Sequence, residues 1–318
     1  MPSIRLLLPE LRHCAASAEV AGGVLAGWIA RGDVRPDAEA GTAAALRSLV
    51  EWPGTALPAA ALTRSLDAAD AAHGAWLRAD PCYVRPDLTT VRLLASGDLG
   101  QTAAETAALL QELKPLFGDS GVPIDAPTPA RWYLAGSPGT DFPDCPPPEE
   151  ILGDDIKLHW PQGAAGKRWR LLLNEAQVVL HNHPVNAARI ARGAVPINSL
   201  WFWGGGRLPG GVSSRCARVI TADPVLVALT RLAGGAEAPF DPAGLEDASR
   251  AAGSRDLGID LRSARAGVLE RDWLQPLDAR LRRGDCEAIE LGFVSGQRVT
   301  VRASHRRRFW RRVRPLPP

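Results

Sequence analysis

The sequence predicts an α/β fold with a mixed or mostly parallel sheet flanked by helices. Short runs rich in leucine, isoleucine and valine alternate with longer Ala- and Leu-rich stretches, which is the order of strands connected by helices. The chain has 318 residues, of which 46% are hydrophobic and 23% are charged. It is therefore long enough to bury a full core and has the composition of an ordinary globular protein.

The N-terminal half is predicted to begin with a buried strand and to continue mainly as helices. The strand IRLLL stops at Pro9, and Thr102 with Glu105 has the spacing of a capping box that begins a helix. The Ala- and Leu-rich stretches are helical by propensity. The predicted elements are strands over 3–8, 91–94 and 131–134, helices over 20–30, 35–49, 59–77 and the stretch after Thr102, and a turn over 77–81.

The C-terminal half is predicted to alternate helices and strands. Asn174 and Gln177 have the spacing of a capping pair. Pro184 is well suited to begin a second helix, and Gly193 supplies a left-handed stop. The predicted elements are helices over 175–182, 184–192, 224–233 and 266–283, strands over 195–203 and 217–221, a loop-like stretch over 239–258 with one short helix, and a closing hairpin over 288–293 and 297–301.

Polar, aromatic and glycine residues concentrate between Asn174 and Gly206, and this segment predicts a ligand site. In an open α/β sheet, ligands lie beyond the carboxyl ends of strands, and glycines there let backbone N–H groups approach an anion. Arginines add charge-assisted contacts. The predicted ligand-binding residues are His181, His183, Asn186, Arg189, Asn198, Trp201, Trp203, Gly204, Gly205, Gly206 and Arg207, with no catalytic residue assigned and no metal ligand expected.

The same residues also fit a purely structural interpretation. A triple glycine is often a tight turn, and tryptophans in a strand are often buried in the core. Two histidines at a helix joint can be satisfied by the protein itself. Arg189 would then brace the joint through an ion pair with a carboxylate such as Glu175.

Cysteine use and hydropathy exclude several classes of protein. The five cysteines are scattered, without metal-ligand or redox spacing, and no run of about 18 apolar residues is present. The sequence contains no P-loop and no G-x-S-x-G motif. We therefore expect a cytoplasmic protein with no disulfide framework, no membrane span and no cofactor.

Charge is distributed unevenly along the chain. Residues 302–318 hold seven arginines and no acid, so the remainder carries more acidic than basic residues. We expect a single domain over 1–301, with any sub-domain boundary in the Pro-rich stretch 136–150. Residues 302–318 are expected to pack on this body, with Phe309 and Trp310 as anchors. The alternative is a free segment that binds a partner, although nucleic acid is not expected because no nucleic-acid-binding fold surrounds it.

The segment HPVNAARIARGAVPINSLWFWGGG (183–206) resembles a motif of the RpfE-type bacterial regulatory proteins, which are phosphoglycerate-mutase-like. The stretches WLRADP, RWYL, WRLLLNEAQ, VITAD and FWRR resemble further landmarks of that group, in the same order. A looser form of the motif occurs in the archaeal-type cofactor-independent phosphoglycerate mutases. The resemblance therefore implies a reduced alkaline-phosphatase-like fold.

The resemblance also implies what catalysis would require. An active mutase of this kind needs two metal ions held by Asp and His residues, with a Ser or Thr nucleophile. An Asp–Gly pair should follow the first strand, where this chain has Pro9 and Glu10. The late strands should carry Asp–His pairs, where it has Glu290 and His305 among arginines.

These departures predict a degenerate, non-catalytic protein. Its role would be binding or regulation, through a phosphorylated or carboxylated small molecule. The alternatives are an active cofactor-independent phosphoglycerate mutase or metal-dependent phosphatase, and a protein-interaction module that uses the Trp-rich strand and the basic tail.

Overall fold

The computed structural model describes residues 2–15, 20, 22–314 and 316. Contacts divide the chain into two compact units: a first unit of residues 1–54 and 210–318, and a second unit of residues 55–209. The Pro-rich stretch 136–150 lies inside the second unit. Within the described residues, no helix is long and apolar enough to cross a membrane.

The first unit opens with the predicted strand. The helix expected over 35–49 is wrong for most of its length, because Pro36 and Gly41 (φ 114°) interrupt it and only five residues become helical. Elements up to residue 54 are β1 (Ile4–Leu8), α1 (Leu11–Ala15), α2 (Val24–Arg31), β2 (Asp33–Arg35), α3 (Thr42–Leu46) and β3 (Val50–Glu51).

The second unit contains an antiparallel sheet. Residues 75–81, predicted as the end of a helix and a turn, instead form one long strand together with residues 82–86. Within it, Arg78 and Asp80 are buried as an ion pair (Nη2–Oδ1 2.6 Å) that sequence patterning does not reveal. The elements are α4 (Ala59–Asp67), β4 (Ala75–Pro86), β5 (Val91–Ser96), α5 (Ala103–Asp119), β6 (Ile124–Thr128), β7 (Arg131–Gly136), α6 (Gly163–His181), α7 (Pro184–Ala191) and β8 (Ser199–Gly206).

Strand β4 is the centre of this sheet. One edge of β4 pairs with β8, the other pairs with β7 and then β5, and β6 pairs with β7. Helices α5 and α6 cover one face and bury a core that includes Phe117, Trp132, Trp169 and Phe202. The predicted capping box of α5 is confirmed, since Thr102 and Glu105 bond each other's backbone N–H.

The chain returns to the first unit after residue 209. The strand β12 (Asp256–Asp260) was not predicted from the sequence, because it contains Gly258 between two aspartates and its first residues lie in the predicted loop. The elements are β9 (Ser213–Ser214), β10 (Cys216–Ile220), α8 (Pro224–Leu232), β11 (Ala236–Ala238), α9 (Leu245–Ala252), β12 (Asp256–Asp260), short helical turns over Ala266–Val268 and Leu269–Leu274, α10 (Gln275–Arg283), β13 (Ile289–Phe293) and β14 (Arg298–Val301).

The first unit is built on a mostly parallel sheet with strand order β11-β10-β12-β1-β13-β14-β2. Neighbours from β11 to β13 are parallel, whereas β14 and β2 are antiparallel to their neighbours. One face of the sheet packs on a core that includes side chains of α2, α9 and α10. The predicted α/β class, with helices flanking a mostly parallel sheet, is confirmed.

The C-terminal arginines contact the first unit near Asp33. Side chains of Arg302, His305 and Arg308 all reach this carboxylate, and Leu316 is buried in the core. Phe309 and Trp310 were expected to be the anchors, but they are 82% and 66% exposed. The arginines contact the body here because polar groups on β2 and the end of α2 face them.

Candidate functional site

The helix joint in the predicted ligand segment is present. His183 caps α7 by accepting a bond from the Val185 N–H at Nδ1 (3.1 Å), and Pro184 is the first residue of the helix. Gly193 ends it with φ 76°. Asn174 is not a cap, because α6 begins eleven residues earlier at Gly163. His181, the last residue of α6, is exposed.

Asn186 and Arg189 on α7 are buried and bonded within the protein. The Asn186 amide donates to the Leu180 and Ile197 carbonyls (2.7 Å each) and accepts from the Ile197 N–H (2.8 Å). Arg189 is 0% exposed. Its three nitrogens donate to the Val195 carbonyl (2.8 Å), the Leu99 carbonyl (2.6 Å) and the Glu105 carboxylate (3.0 Å).

The predicted site residues around the start of β8 also bond within the protein. Asn198 exchanges two bonds with the backbone of Val84, so its amide extends the strand ladder. The Trp201 indole donates to the Pro146 carbonyl (2.9 Å), and that of Trp203 donates to Asp80 (2.6 Å). Both tryptophans are buried.

The glycine run was predicted to follow the strand. In the structure, the three glycines are the last three residues of β8. A Cβ on Gly204 would lie 2.7 Å from Ala59, one on Gly205 would lie 2.8 Å from Phe142, and one on Gly206 would lie 2.8 Å from Pro58. The glycines are therefore needed for close packing. The sheet around them is antiparallel, so the ligand rule for parallel strands does not apply here.

Most polar groups of this segment are thus occupied by protein partners. His181 and Arg207 are exposed side chains, whereas Asn186, Arg189 and Asn198 have their hydrogen bonds directed into the second unit. The role of the segment in ligand binding remains a prediction.

The carboxyl ends of the parallel strands hold a different polar cluster, in the first unit. Asp223 follows β10 and Asp260 ends β12, which are adjacent strands. The guanidinium of Arg262 bridges them. Its Nε and Nη2 donate to Asp260 at 2.9 and 2.7 Å, and Nη2 also donates to Asp223. Thr221 completes the cluster by donating to Asp260 (3.0 Å).

The charge of Arg262 is strongly stabilised in this position. Burial alone would lower its pKa, but the charges and hydrogen bonds of Asp260 and Asp223 raise the pKa well above its ordinary value. Asp223 also caps α8 through the Val225 N–H (2.8 Å). The cluster is therefore a partly neutralised set in which two carboxylates share one cation.

These residues do not fit a divalent metal ion in this arrangement. Such an ion needs several oxygen ligands directed at one point, and the guanidinium contacts both carboxylates there. Glu10, which follows β1, pairs with Arg12 (2.5 Å). In the described part of the chain, no group of three or more His, Cys, Asp or Glu side chains is placed to hold a metal.

Glu290 and His305, the residues found in place of the expected late-strand Asp–His pairs, do not face a common point either. Glu290 on β13 is held by Arg5 (2.9 Å), whereas His305 faces Asp33 (3.3 Å). Asp260 and Arg262 were missed because they follow the loop-like stretch predicted over 239–258, in residues for which no element was predicted. An Asp-x-Arg sequence directly after a short apolar run was the one available signal.

A short stretch of the chain is similar in sequence to one class of enzyme, the phosphoglycerate mutases that act independently of 2,3-bisphosphoglycerate. The chain is 44% identical over 63 residues to a probable enzyme of this class from Geobacter sulfurreducens, and 41% identical over 66 residues to one from Methanosarcina mazei. These stretches are 20% and 21% of this chain, but only 16% and 17% of the relatives. No family model matches.

Two solved structures resemble the chain over most of its length. A cofactor-independent phosphoglycerate mutase from Thermoplasma acidophilum covers 95% of this chain and 90% of its own, with TM-score 0.41 and 15% identity. A protein from Pyrococcus horikoshii covers 94% and 86%, with TM-score 0.44 and 12% identity. At these scores neither structure carries an argument about activity.

Proposed function

We propose that this chain is a phosphoglycerate-mutase-like protein that binds a phosphorylated or carboxylated small acid without converting it, in a regulatory role. The observation that carries the proposal is the bridge from Arg262 to Asp223 and Asp260. Carboxylates at the ends of parallel strands are positioned as a metal-dependent enzyme would need them. Here a fixed cation of the protein bridges them and offsets part of their charge.

The regulatory part of the proposal rests on the motif of residues 183–206, which resembles the RpfE-type regulatory proteins. The mutase-like part is supported by the 44% identity to the Geobacter sulfurreducens protein. That same identity favours the second candidate function, an active cofactor-independent mutase or a metal-dependent phosphatase. The aligned stretch is too small a part of that enzyme to carry its activity over.

Turnover and metal content separate the two candidates. Protein purified from a host lacking its own mutases is expected to convert no 3-phosphoglycerate to 2-phosphoglycerate with Mn²⁺, Co²⁺ or Mg²⁺ supplied. It is still expected to gain melting temperature with 3-phosphoglycerate, because ligand binding stabilises the folded state. Turnover above background, or two stoichiometric divalent ions in the wild type, would overturn the proposal.

A variant at Arg262 tests directly whether the bridge to Asp223 and Asp260 excludes a metal ion. Arg262→Met removes the cation that both carboxylates share, so Mn²⁺ is expected to raise the melting temperature of this variant and not that of the wild type. Arg231→Met is the matched control, because it breaks an exposed pair with Glu237 in the same unit. Equal responses of the wild type and Arg262→Met to Mn²⁺ would count against the assigned role of Arg262.

A further inference from the structure

The main sheet of the first unit has one apolar face, and part of the opposite face, beside buried Leu7 and Val219, is charged. Ile4, Leu6, Ile289 and Leu291 point into the core. The residues between them point the other way, since successive side chains of a strand alternate. On that face, Arg5 lies opposite Glu290, and Arg298 lies opposite both Gly292 and Arg35.

A cavity of about 620 Å³ opens on this charged face, and all of its lining residues belong to the first unit. The described lining contains five arginines against two glutamates, Glu51 and Glu290. Such an excess of positive charge favours an anionic occupant. The arginines are Arg5, Arg35, Arg47, Arg215 and Arg298.

Three of these arginines form no ion pair with any residue that the structure describes. Arg298 donates to the Ala44 carbonyl (3.3 Å), Arg35 donates to the Thr300 hydroxyl (3.3 Å), and Arg215 is exposed. Arg5, in contrast, is paired with Asp256 and Glu290 at 2.9 Å each. The charges of these three arginines are therefore not matched by ion pairs among the described residues, although Glu290 lies close enough to Arg298 to offset part of its charge.

The surroundings of Arg298 also favour an anionic occupant of the cavity. Burial lowers its pKa and the nearby charge of Arg5 lowers it further, while Glu290 opposes part of this shift. Gly292 provides the space, because a Cβ there would lie 2.8 Å from the Arg298 Nη1 atom. The attraction of a bound anion would offset both the cost of burying the Arg298 charge and the repulsion from Arg5.

We infer that this cavity binds a small polyol or hydroxy acid carrying two phosphate groups, or one phosphate and one carboxylate. A phosphate monoester carries about −1.5 to −2 charges at neutral pH, so two anionic groups balance the excess of arginine. Arginine is the side chain best suited to such groups. The volume suits a small molecule. The lining contains the hydroxyl of Ser213, whereas those of Ser48 and Ser214 donate to the Ala45 and Leu49 carbonyls. Among the described lining residues there is no aromatic ring for a base. The inference rests on the binding role proposed above and names its site.

Titration calorimetry with fructose 1,6-bisphosphate as the probe tests this site. The wild type is expected to bind it, and Arg298→Gln is expected to weaken binding roughly tenfold or more, because a charge-assisted contact is lost. Arg250→Gln is the control, since Arg250 is an exposed arginine of the same unit outside the cavity. Arg35→Gln repeats the test on a second lining residue.

The outcomes are distinct from those of the turnover assay. Absence of binding by the wild type, or equal binding by wild type, Arg298→Gln and Arg35→Gln, overturns the cavity as a site. Inorganic phosphate binding as tightly as the bisphosphate at equal ionic strength overturns the ligand class. Mutase turnover with binding still dependent on Arg298 overturns the proposed function and leaves the site standing.

Discussion

At the scale of single residues, Arg189 links three parts of the second unit. Its guanidinium joins α7 to the Leu99 and Val195 carbonyls and to Glu105 at the start of α5. An ion pair was considered from the sequence, with Glu175 as the example, but the carboxylate comes from 84 residues earlier in the chain. Such a partner cannot be read from local spacing.

Arg189→Ala is expected to destabilise the protein by roughly 3 kcal/mol, because it leaves buried carbonyls and part of a carboxylate without a partner. Arg192→Ala is the matched control, since Arg192 also pairs with Glu105 but is 50% exposed. It should cost less than about 1 kcal/mol. Urea unfolding measures both. An Arg189→Ala protein of wild-type stability that no longer binds 3-phosphoglycerate would instead support a ligand role.

Glu105 gives a pH dependence at the same place. Burial would raise its pKa, but the Thr102 N–H and the charges of Arg192 and Arg189 lower the pKa overall. A lowered folded-state pKa contributes stability above the unfolded value of about 4.3 and loses it as the pH falls through the folded value.

Glu105→Gln is therefore expected to lower the free energy of unfolding more at pH 7 than at pH 3. Glu112→Gln, at an exposed position of the same helix, should change little at either pH. Urea unfolding at the two pH values gives the comparison. A Glu105→Gln deficit that does not shrink in acid would contradict the assigned interaction.

At the scale of elements, β8 shows how a glycine run can serve packing. Gly204 has φ 64°, and Ala59 at the start of α4 occupies the space of its missing side chain. Gly204→Ala is expected to destabilise the protein by about 2 kcal/mol or more, from backbone strain and overpacking together. Gly139→Ala, where nothing lies within 4 Å, is the control for thermal unfolding. Equal melting temperatures would remove the packing explanation.

The C-terminal segment gives a second test at this scale. Deleting residues 302–318 is expected to lower the melting temperature, because Leu316 leaves the core and Asp33 loses its arginine partners. Replacing exposed Phe309 and Trp310 together by alanine should leave it nearly unchanged. If the deletion has no effect on thermal unfolding, the segment does not stabilise the body.

At the scale of the whole molecule, the second unit is continuous in sequence and has a hydrophobic core of its own. A fragment of residues 55–209 is therefore expected to fold and to unfold cooperatively in urea. Near-ultraviolet circular dichroism would report its packed tryptophans. A fragment without a cooperative transition would indicate that this core depends on the rest of the chain.

The sequence alone determined the features that depend on neighbours along the chain. The α/β class, the capping box at Thr102, the start of α7 at Pro184 and the closing hairpin follow from periodicity, capping and turn chemistry. These interactions join residues only a few positions apart.

Only the tertiary structure decided the features that depend on distant partners. β4 carries the buried pair Arg78 and Asp80, and β12 ends in Asp260, which Arg262 neutralises in part. Both segments are strands because they pair with strands distant in sequence. The roles of Arg189 and of Gly204 depend on Glu105 and Ala59, which lie far away in sequence. Likewise, Arg35 and Arg298 share one charged face only because β2 pairs with β14, and local sequence carries no record of that pairing.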